Sequence, residues 1–405
     1  MKKVLLLCTS HNDLGLVRAL RKMGYYIIAT GNKADLPGQV WVDQFIQADY
    51  SDKELILSIA REEEIDAICP CCNDFGVYTA AYVAEQMGLP GYDNYEVTCT
   101  LHNKHRFKEF ALENDILTPR SQIFQTQEAA RDALREMTFP VIIKPTDASA
   151  GNGIHKASDM QEAELAVEEA FEVSRLKTIV IEPYIEGTQH GFCTYLIDQK
   201  VVAVCTNNEY SIVNPYRVEI DTFPADEWES VSKILIPQIE KMARILKLQD
   251  GIFHLQYILR DGTPWIIEVM RRILGNMYSI PAGLLTGVDW DYWEARARCG
   301  LSCKEIPRNT KQEGCFAYKA IMADENGKIN KIVIPDEYKK YTIDTYMLKK
   351  EGDEIGNYQK EPVGFIFMMF QNISEMKRVL IGDYRNDLVT MEKREETSYE
   401  KSTIN

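Results

Sequence analysis

Apolar and polar positions follow two different rhythms along this chain of 405 residues, and the change falls near residue 100. Before it, short apolar runs at 4–8, 26–30 and 67–69 alternate with stretches of helical spacing at 14–23, 53–64 and 76–87. Strand, helix and strand in that order predict βαβ units around a parallel sheet. The turn after the first run, Thr9-Ser10-His11-Asn12-Asp13-Leu14-Gly15, lacks the G-x-G-x-x-G that seats a dinucleotide, so the layering predicts a Rossmann-like sheet without that site. From 103 to about 301 the pattern predicts strand pairs separated by helices. Hairpins are expected at 192–197 with 201–206 and at 252–259 with 265–269, the second turning at Arg260-Asp261-Gly262. After Pro307, strands are expected at 314–323, 331–334, 342–347 and 363–369, a helix near 374–381, and a charged tail over 392–405 that frays.

Length turns these rhythms into domains, because 405 residues exceed what one core organises. The expected division is an α/β domain over 1–100, a two-lobed α+β domain over 101–305 (lobes 101–187 and 188–305), and a small β-rich domain over 306–405. A net charge of −15 disfavours nucleic-acid binding, which needs basic surface to neutralise phosphate. No apolar run approaches the roughly eighteen residues of a membrane span, and the apolar run after Lys2-Lys3 is too short for a signal peptide. Of ten cysteines, Cys69, Cys71 and Cys72 cluster after an apolar strand and Cys299-x₃-Cys303 is a zinc-like unit without an obvious mate, so reduced thiols in a cytoplasmic protein are expected.

Lys144 ends the apolar strand 139–143 and precedes a run of small residues containing Ala150, Gly151 and Gly153. Small residues let backbone N–H groups approach phosphate oxygens while an ammonium neutralises their charge; an ordinary hairpin turn reads the same way. Lys104 opens a helical pattern and could add a second cation, or be a solvated surface lysine. Glu182-Pro183-Tyr184-Ile185 follows the strand 178–181 and can read an adenine through its backbone, with Glu182 accepting from the amino group and Tyr184 or Ile185 over the ring. Gln189 or His190 would then reach ribose hydroxyls; a capped strand end at Gly187 is the plainer alternative. Gln256 and Glu268 occupy the two arms of one hairpin. His254 shares a face with Gln256, and Ile266 is expected to share one with Glu268. An amide oxygen and a carboxylate facing each other are hard donors suited to Mg²⁺, whereas Arg271 or Arg272 could instead neutralise Glu268 as a salt bridge.

In order and spacing, Asn103-Lys104, Pro140-Val141-Ile142-Ile143-Lys144, Glu182-Pro183-Tyr184-Ile185 and Gln256 with Glu268-x₃-Arg272-x₂-Gly275 resemble the ATP-grasp superfamily over roughly residues 100–300. Gln256, in place of the more frequent acidic residue, resembles the ATP-grasp halves of carbamoyl-phosphate synthase. Met270 departs from the asparagine that is a third metal ligand in many members. The last hundred residues resemble the C-terminal domain of ATP-grasp L-amino-acid ligases and biotin-carboxylase-like enzymes. The resemblance implies ATP and Mg²⁺ (or Mn²⁺) between two lobes, with Lys104, Lys144 and the loop on phosphates and Gln256 and Glu268 on metal. Arg272 would be catalytic, and Arg217 and Arg271 would meet substrate. It implies a carboxylate–amine ligase working through an acyl phosphate, with small-molecule carboxylate and amine substrates and a homodimer as the candidate assembly. Activation of bicarbonate or formate is the alternative chemistry, and a nucleotide-binding relative without turnover the non-enzymatic one.

Overall fold

The computed structural model describes residues 1–148, 151–308 and 312–392. The polar tail expected over 392–405 lies outside the described residues beyond its first position, as does Ala150 of the small-residue loop.

The N-terminal strands β1 (Lys3–Leu6), β2 (Tyr26–Gly31), β3 (Gln44–Gln47) and β4 (Ala67–Cys69) form the expected parallel sheet, in the order β3-β2-β1-β4. Val4, Leu5 and Leu6 are all buried because helices cover both faces, which is why the strand reads as an unbroken apolar run. On one side Leu16, Val17 and Leu20 of α1 (Leu14–Lys22) pack on Val4 and Leu6. On the other, α2 (Lys53–Glu62) and α3 (Asp74–Met87) bring Ile56, Ile59, Ala80 and Val83 onto Leu5 and Leu7. Two further helices, α4 (Tyr95–His102) and α5 (Lys104–Glu113), meet at Asn103, whose side-chain oxygen accepts from Arg106 N at 3.1 Å and caps α5.

The first lobe is an antiparallel sheet of β5 (Gln122–Phe124), β6 (Val141–Pro145), β7 (His155–Ala157) and β8 (Ile179–Pro183), ordered β5-β8-β6-β7. Helices α6 (Gln127–Leu134) and α7 (Met160–Val173) bury one face over Val141, Ile143, Ile179 and Ile181.

Both expected hairpins are present in the second lobe, as β9 (Thr188–Ile197) with β10 (Lys200–Tyr210) and β12 (Gly251–Arg260) with β13 (Thr263–Met270). Between them lie β11 (Ile220–Phe223) and α8 (Trp228–Leu246), and after them α9 (Ser279–Thr286), α10 (Trp290–Arg298), β14 (Cys315–Ile321), β15 (Gly327–Ile332), β16 (Thr342–Met347), β17 (Glu354–Ile355), β18 (Gly364–Phe370) and β19 (Val389–Met391). Eight of these strands form one sheet, β13-β12-β9-β10-β11-β14-β18-β16, and β17-β15-β19 form a small separate one. The boundary expected at 305/306 therefore falls inside a sheet, since β14 pairs directly with β11. Val231, Leu235, Ile239 and Met242 of α8 cover the back of the large sheet against Phe192, Phe253, Leu255 and Tyr257. Its front face turns toward the first lobe.

Candidate nucleotide and substrate site

A cleft of about 420 Å³ separates the lobes, within the range of small-molecule sites. Lys104, Lys144, Glu182, Tyr184 and Ile185 line it on one side, Gln256, Glu268, Met270, Arg272 and Gly275 on the other, and Asp74 of the N-terminal domain reaches its edge.

Strand alternation places Lys144. Val141, Ile143 and Pro145 point into the core of the first lobe, so Ile142 and Lys144 face the cleft. The Lys144 ammonium is bound to Glu182, which also accepts a salt bridge from Lys108 at 3.1 Å. Glu182 and Lys108 are 2% and 3% exposed. Burial alone would raise the Glu182 carboxyl, yet Lys108 and Lys144 hold it down at about 2. Lys108 is itself pushed below its ordinary value, because burial and the like charge of Lys144 outweigh Glu182. The two shifts assess the cluster differently. The direction of Lys108 shows what desolvation costs the cation, so the gain of Glu182 exceeds the net worth of the cluster. Lys108, one helical turn past Lys104, was not legible as part of the site.

Lys104 donates to Ala148 O at 3.1 Å and lies 3.1 Å from Glu268. It thus spans from the small-residue loop to the second lobe. Burial works against its charge, but Glu268 and Asp74 hold it above its ordinary value. Gly151 has φ +75°, and a Cβ there would lie 2.6 Å from Tyr216 Cβ, so the loop can close onto the Tyr216 turn only as glycine. Gly153 packs against Pro145 and Val173 rather than lining the cleft.

The cleft floor is the front of the large sheet. Gln256 is the register partner of Glu268, and a bulge at Ile267 separates that pair from Tyr257 and Ile266. The bulge reverses the alternation, so Ile266 enters the core under α8 while Glu268 faces the cleft, against the expectation that they share a face. A second polar row crosses the sheet beside the first, with Gln189, Glu209, Asp221 and Tyr318 as successive register partners on β9, β10, β11 and β14. Glu209 accepts from Gln189 Nε2 at 2.6 Å and from Gln256 Nε2 at 2.7 Å. Gly191 makes room for this arrangement, since a Cβ there would be 2.4 Å from Asn207 Oδ1. Burial raises the Asp221 carboxyl well above its usual range, and the Glu209 charge raises it further. Burial raises Glu209 as well, against the hydrogen bonds it receives.

Arg272 is positioned by the N-terminal domain. Its Nε donates to Asp74 Oδ1 at 2.8 Å, and His102 Nδ1 lies 3.2 Å from the same oxygen. The backbone N–H of Arg271 donates to His102 Nε2 at 3.1 Å, so the ring proton resides on Nδ1 and points at Asp74. Burial would raise Asp74, but Arg272 and His102 hold it well below the usual carboxylate range.

Several expected site residues lie elsewhere. His190 follows Gln189 on β9 and faces the back of the sheet, away from the cleft that Gln189 lines, stacked on Tyr257 at 5.0 Å, and burial lowers it to about 4. Arg271 is 2% exposed and bound to Asp93 at 2.9 Å and to the carbonyls of Gln249 and Ile252, contacts that brace the fold. Among the described residues the direct ion pair of Glu268 is with Lys104 rather than with either arginine, although the charge of Glu268 also favours the Arg272 cation. The Glu182 carboxylate is committed to lysines rather than offered to an adenine amino group, and the Tyr184 N–H is taken by Pro140 O at 3.0 Å. Lys156 sits 4.1 Å above the Tyr184 ring. Arg217 lines the cleft, its guanidinium donating to Lys360 O.

Two lysines on one lobe thus face a carboxylate and an arginine on the hairpin of another, over this sheet pair, and the chain is similar in sequence and fold to ATP-grasp proteins. Residues 102–214 match the family model described as the phosphoribosylglycinamide synthetase ATP-grasp (A) domain. The carbamoyl phosphate synthase large chain of Thermoanaerobacter sp. (strain X514) is 24% identical over 214 residues, covering 49% of this chain and 19% of that protein. The chain thus spans less than a fifth of the length of that relative. A crystal structure of L-amino acid ligase from Bacillus licheniformis superposes with a TM-score of 0.81 at 19% identity, covering 97% of this chain and 99% of that one. The biotin carboxylase domain dimer of Hydrogenobacter thermophilus 2-oxoglutarate carboxylase, in complex with MgADP, ADP and bicarbonate, superposes with a TM-score of 0.75 at 20% identity over 91% of this chain and 86% of that one.

Proposed function

We propose that the protein is an ATP-dependent carboxylate–amine ligase acting through an acyl phosphate. The convergence of Lys104, Lys144, Glu268 and Arg272 on one cleft carries the reading. A carboxylate oxygen of the first substrate attacks the γ-phosphorus of ATP, the bond to the β,γ-bridging oxygen breaks, and ADP leaves with that electron pair. Lys144 and Arg272 offset the charge on the transferring group. The amine nitrogen of the second substrate then attacks the acyl carbon. Its C–O bond to phosphate breaks, inorganic phosphate departs, and the nitrogen releases a proton to leave an amide.

Mg²⁺ or Mn²⁺ fits the donors. Glu268 already holds a cation, the Lys104 ammonium, at 3.1 Å. Gln256 gives its Nε2 to Glu209, so its remaining donor is an oxygen. Gln256 and Glu268 would hold the ion, which when bound supplies charge neutralisation at the phosphates. Gln189 and Ile185 are the remaining candidates for contact with the nucleoside. Ten unpaired cysteines support a cytoplasmic location, and the dimeric carboxylase domain supports testing for a homodimer.

The deciding experiment supplies ATP, Mg²⁺ and pooled carboxylic acids with hydroxylamine, which captures an acyl phosphate as a hydroxamate. ADP, phosphate and a hydroxamate are expected; AMP and pyrophosphate in stoichiometric amounts would reject the mechanism. Bicarbonate or formate in the same screen tests the small-acid reading, which the carbamoyl phosphate synthase relatives favour.

A further inference from the structure

The second polar row has a property that nucleotide and metal binding leave unexplained. Glu209 and Asp221 are register partners, 8% and 3% exposed, and both line the cleft. Hydrogen bonds from neutral amides reach Glu209, while Asp221 Oδ1 has no partner among the described residues. No lysine or arginine is paired with either among those residues. Two carboxylates held out of water without a cation are unstable together, and unpaired buried polar atoms call for an explanation. A ligand that brings one positive charge and several donors resolves both.

We propose that Asp221 and Glu209 seat the ammonium group of a primary amine, the second substrate of the ligase reading on which this inference rests. A primary ammonium has three N–H donors for the oxygens of the two carboxylates. A quaternary ammonium has none. The position suits the chemistry, because Gln256 links Glu209 to Glu268 and so sets the seat beside the phosphates. The seat selects the amine, whereas the first-lobe lysines and Arg272 serve ATP and the acid. The preference for a primary amine over the oxygen of an alcohol or water is thus built into the floor of the sheet.

The test has two arms. In the first, wild type and Asp221→Asn are melted with methylammonium chloride, with tetramethylammonium chloride at equal ionic strength, and with MgCl₂. Methylammonium should raise the melting temperature of wild type and tetramethylammonium should not, and Asp221→Asn should lose that gain. Equal responses to the two salts, a methylammonium gain that survives in Asp221→Asn, or loss of the MgCl₂ response instead would overturn the seat. Glu209→Gln repeats the comparison if Asp221→Asn fails to fold. In the second arm, amines that support turnover (the twenty L-amino acids and methylamine) are titrated. Asp221→Asn should raise the KM of the amine about tenfold or more while the Kd for ATP moves less than twofold. An unchanged amine KM rejects the proposal. Hydroxylamine, largely uncharged at neutral pH, needs no such seat. A hydroxamate without the methylammonium effect therefore rejects the seat alone, and the methylammonium effect without any hydroxamate rejects the ligase reading.

Discussion

Replacing Glu182 by glutamine tests whether the buried charges of the first lobe stabilise the protein or only hold lysines ready for phosphate. The carboxyl, at 4.5 when free, is held at about 2, which corresponds to about 3 kcal/mol of stabilisation at neutral pH. Because the folded value lies below the unfolded one, this contribution is fully present above about 4.5 and disappears as pH falls through about 2. In Glu182→Gln, Lys108 keeps only Thr118 Oγ1 at 2.7 Å as a partner, so the loss should be about 3–5 kcal/mol. Burial already lowers the Lys108 ammonium, so giving up its proton costs less and places the result at the lower end. Lys144 is exposed enough to turn into the cleft and adds less. Urea denaturation at pH 7, followed by a probe of the first lobe, reads the loss. The double variant Lys108→Met with Glu182→Gln removes the stranded charge along with its partner and should recover most of the stability. A single variant as stable as wild type, or a double variant no better than the single, would refute the reasoning.

Lys144→Ala should weaken MgATP binding by about 1.5–3 kcal/mol in calorimetry, the range for a charge-assisted contact; parent-like affinity would remove this lysine from the phosphate site. Glu268→Gln should abolish ADP release with little change in melting temperature, since Lys104 retains Ala148 O as a partner; a large melting drop with full activity per folded molecule would make Glu268 structural. Arg271→Met should strand Asp93 and lower stability by about 3–5 kcal/mol while the folded fraction binds ATP as wild type does. Asp221→Asn without ligand should be more stable than wild type at pH 7. The folded carboxyl lies above its unfolded value, so its penalty grows as pH rises past about 4 and is absent below; equal stabilisation at pH 3 and pH 7 would contradict this.

What could be read from the chain was what period and composition encode. The apolar run of β1 announced a strand covered on both faces, and the spacing of Leu16, Val17 and Leu20 announced the helix that covers one of them. Lys144, Glu268 and Arg272 were legible because a charge in or just after an apolar strand has few uses. The short edge strand β3, with Phe45 and Ile46 as its only apolar residues, carried no such pattern. Misplaced residues share one cause. Ile266 and Glu268 were assigned a common face by counting in twos, and a bulge, invisible to counting, moved one of them. His190 was grouped with its neighbour Gln189, yet a strand sends adjacent side chains to opposite faces, a rule already available in the chain.

Glu209 and Asp221 were illegible for a deeper reason. Glu209 ends a polar run after Thr206-Asn207-Asn208, Asp221 alternates with Glu219 among Val218, Ile220 and Phe223, and neither has a basic partner within the segment that contains it. Their meaning arises only when β10 and β11 lie side by side and Gln189 arrives from β9 and Tyr318 from β14, more than a hundred residues apart in the chain. On the proposed reading, substrate choice is a property of sheet register, and the hairpins that set register also set chemistry. Slip β11 by one residue and Asp221 turns into the core while Ile220 or Thr222 enters the cleft. The nucleotide side tolerates more, because lysines on flexible stems reach phosphate from several positions. Sequence motifs accordingly mark the ATP half of the site, whereas the substrate half is written in contacts between strands and becomes readable only after folding.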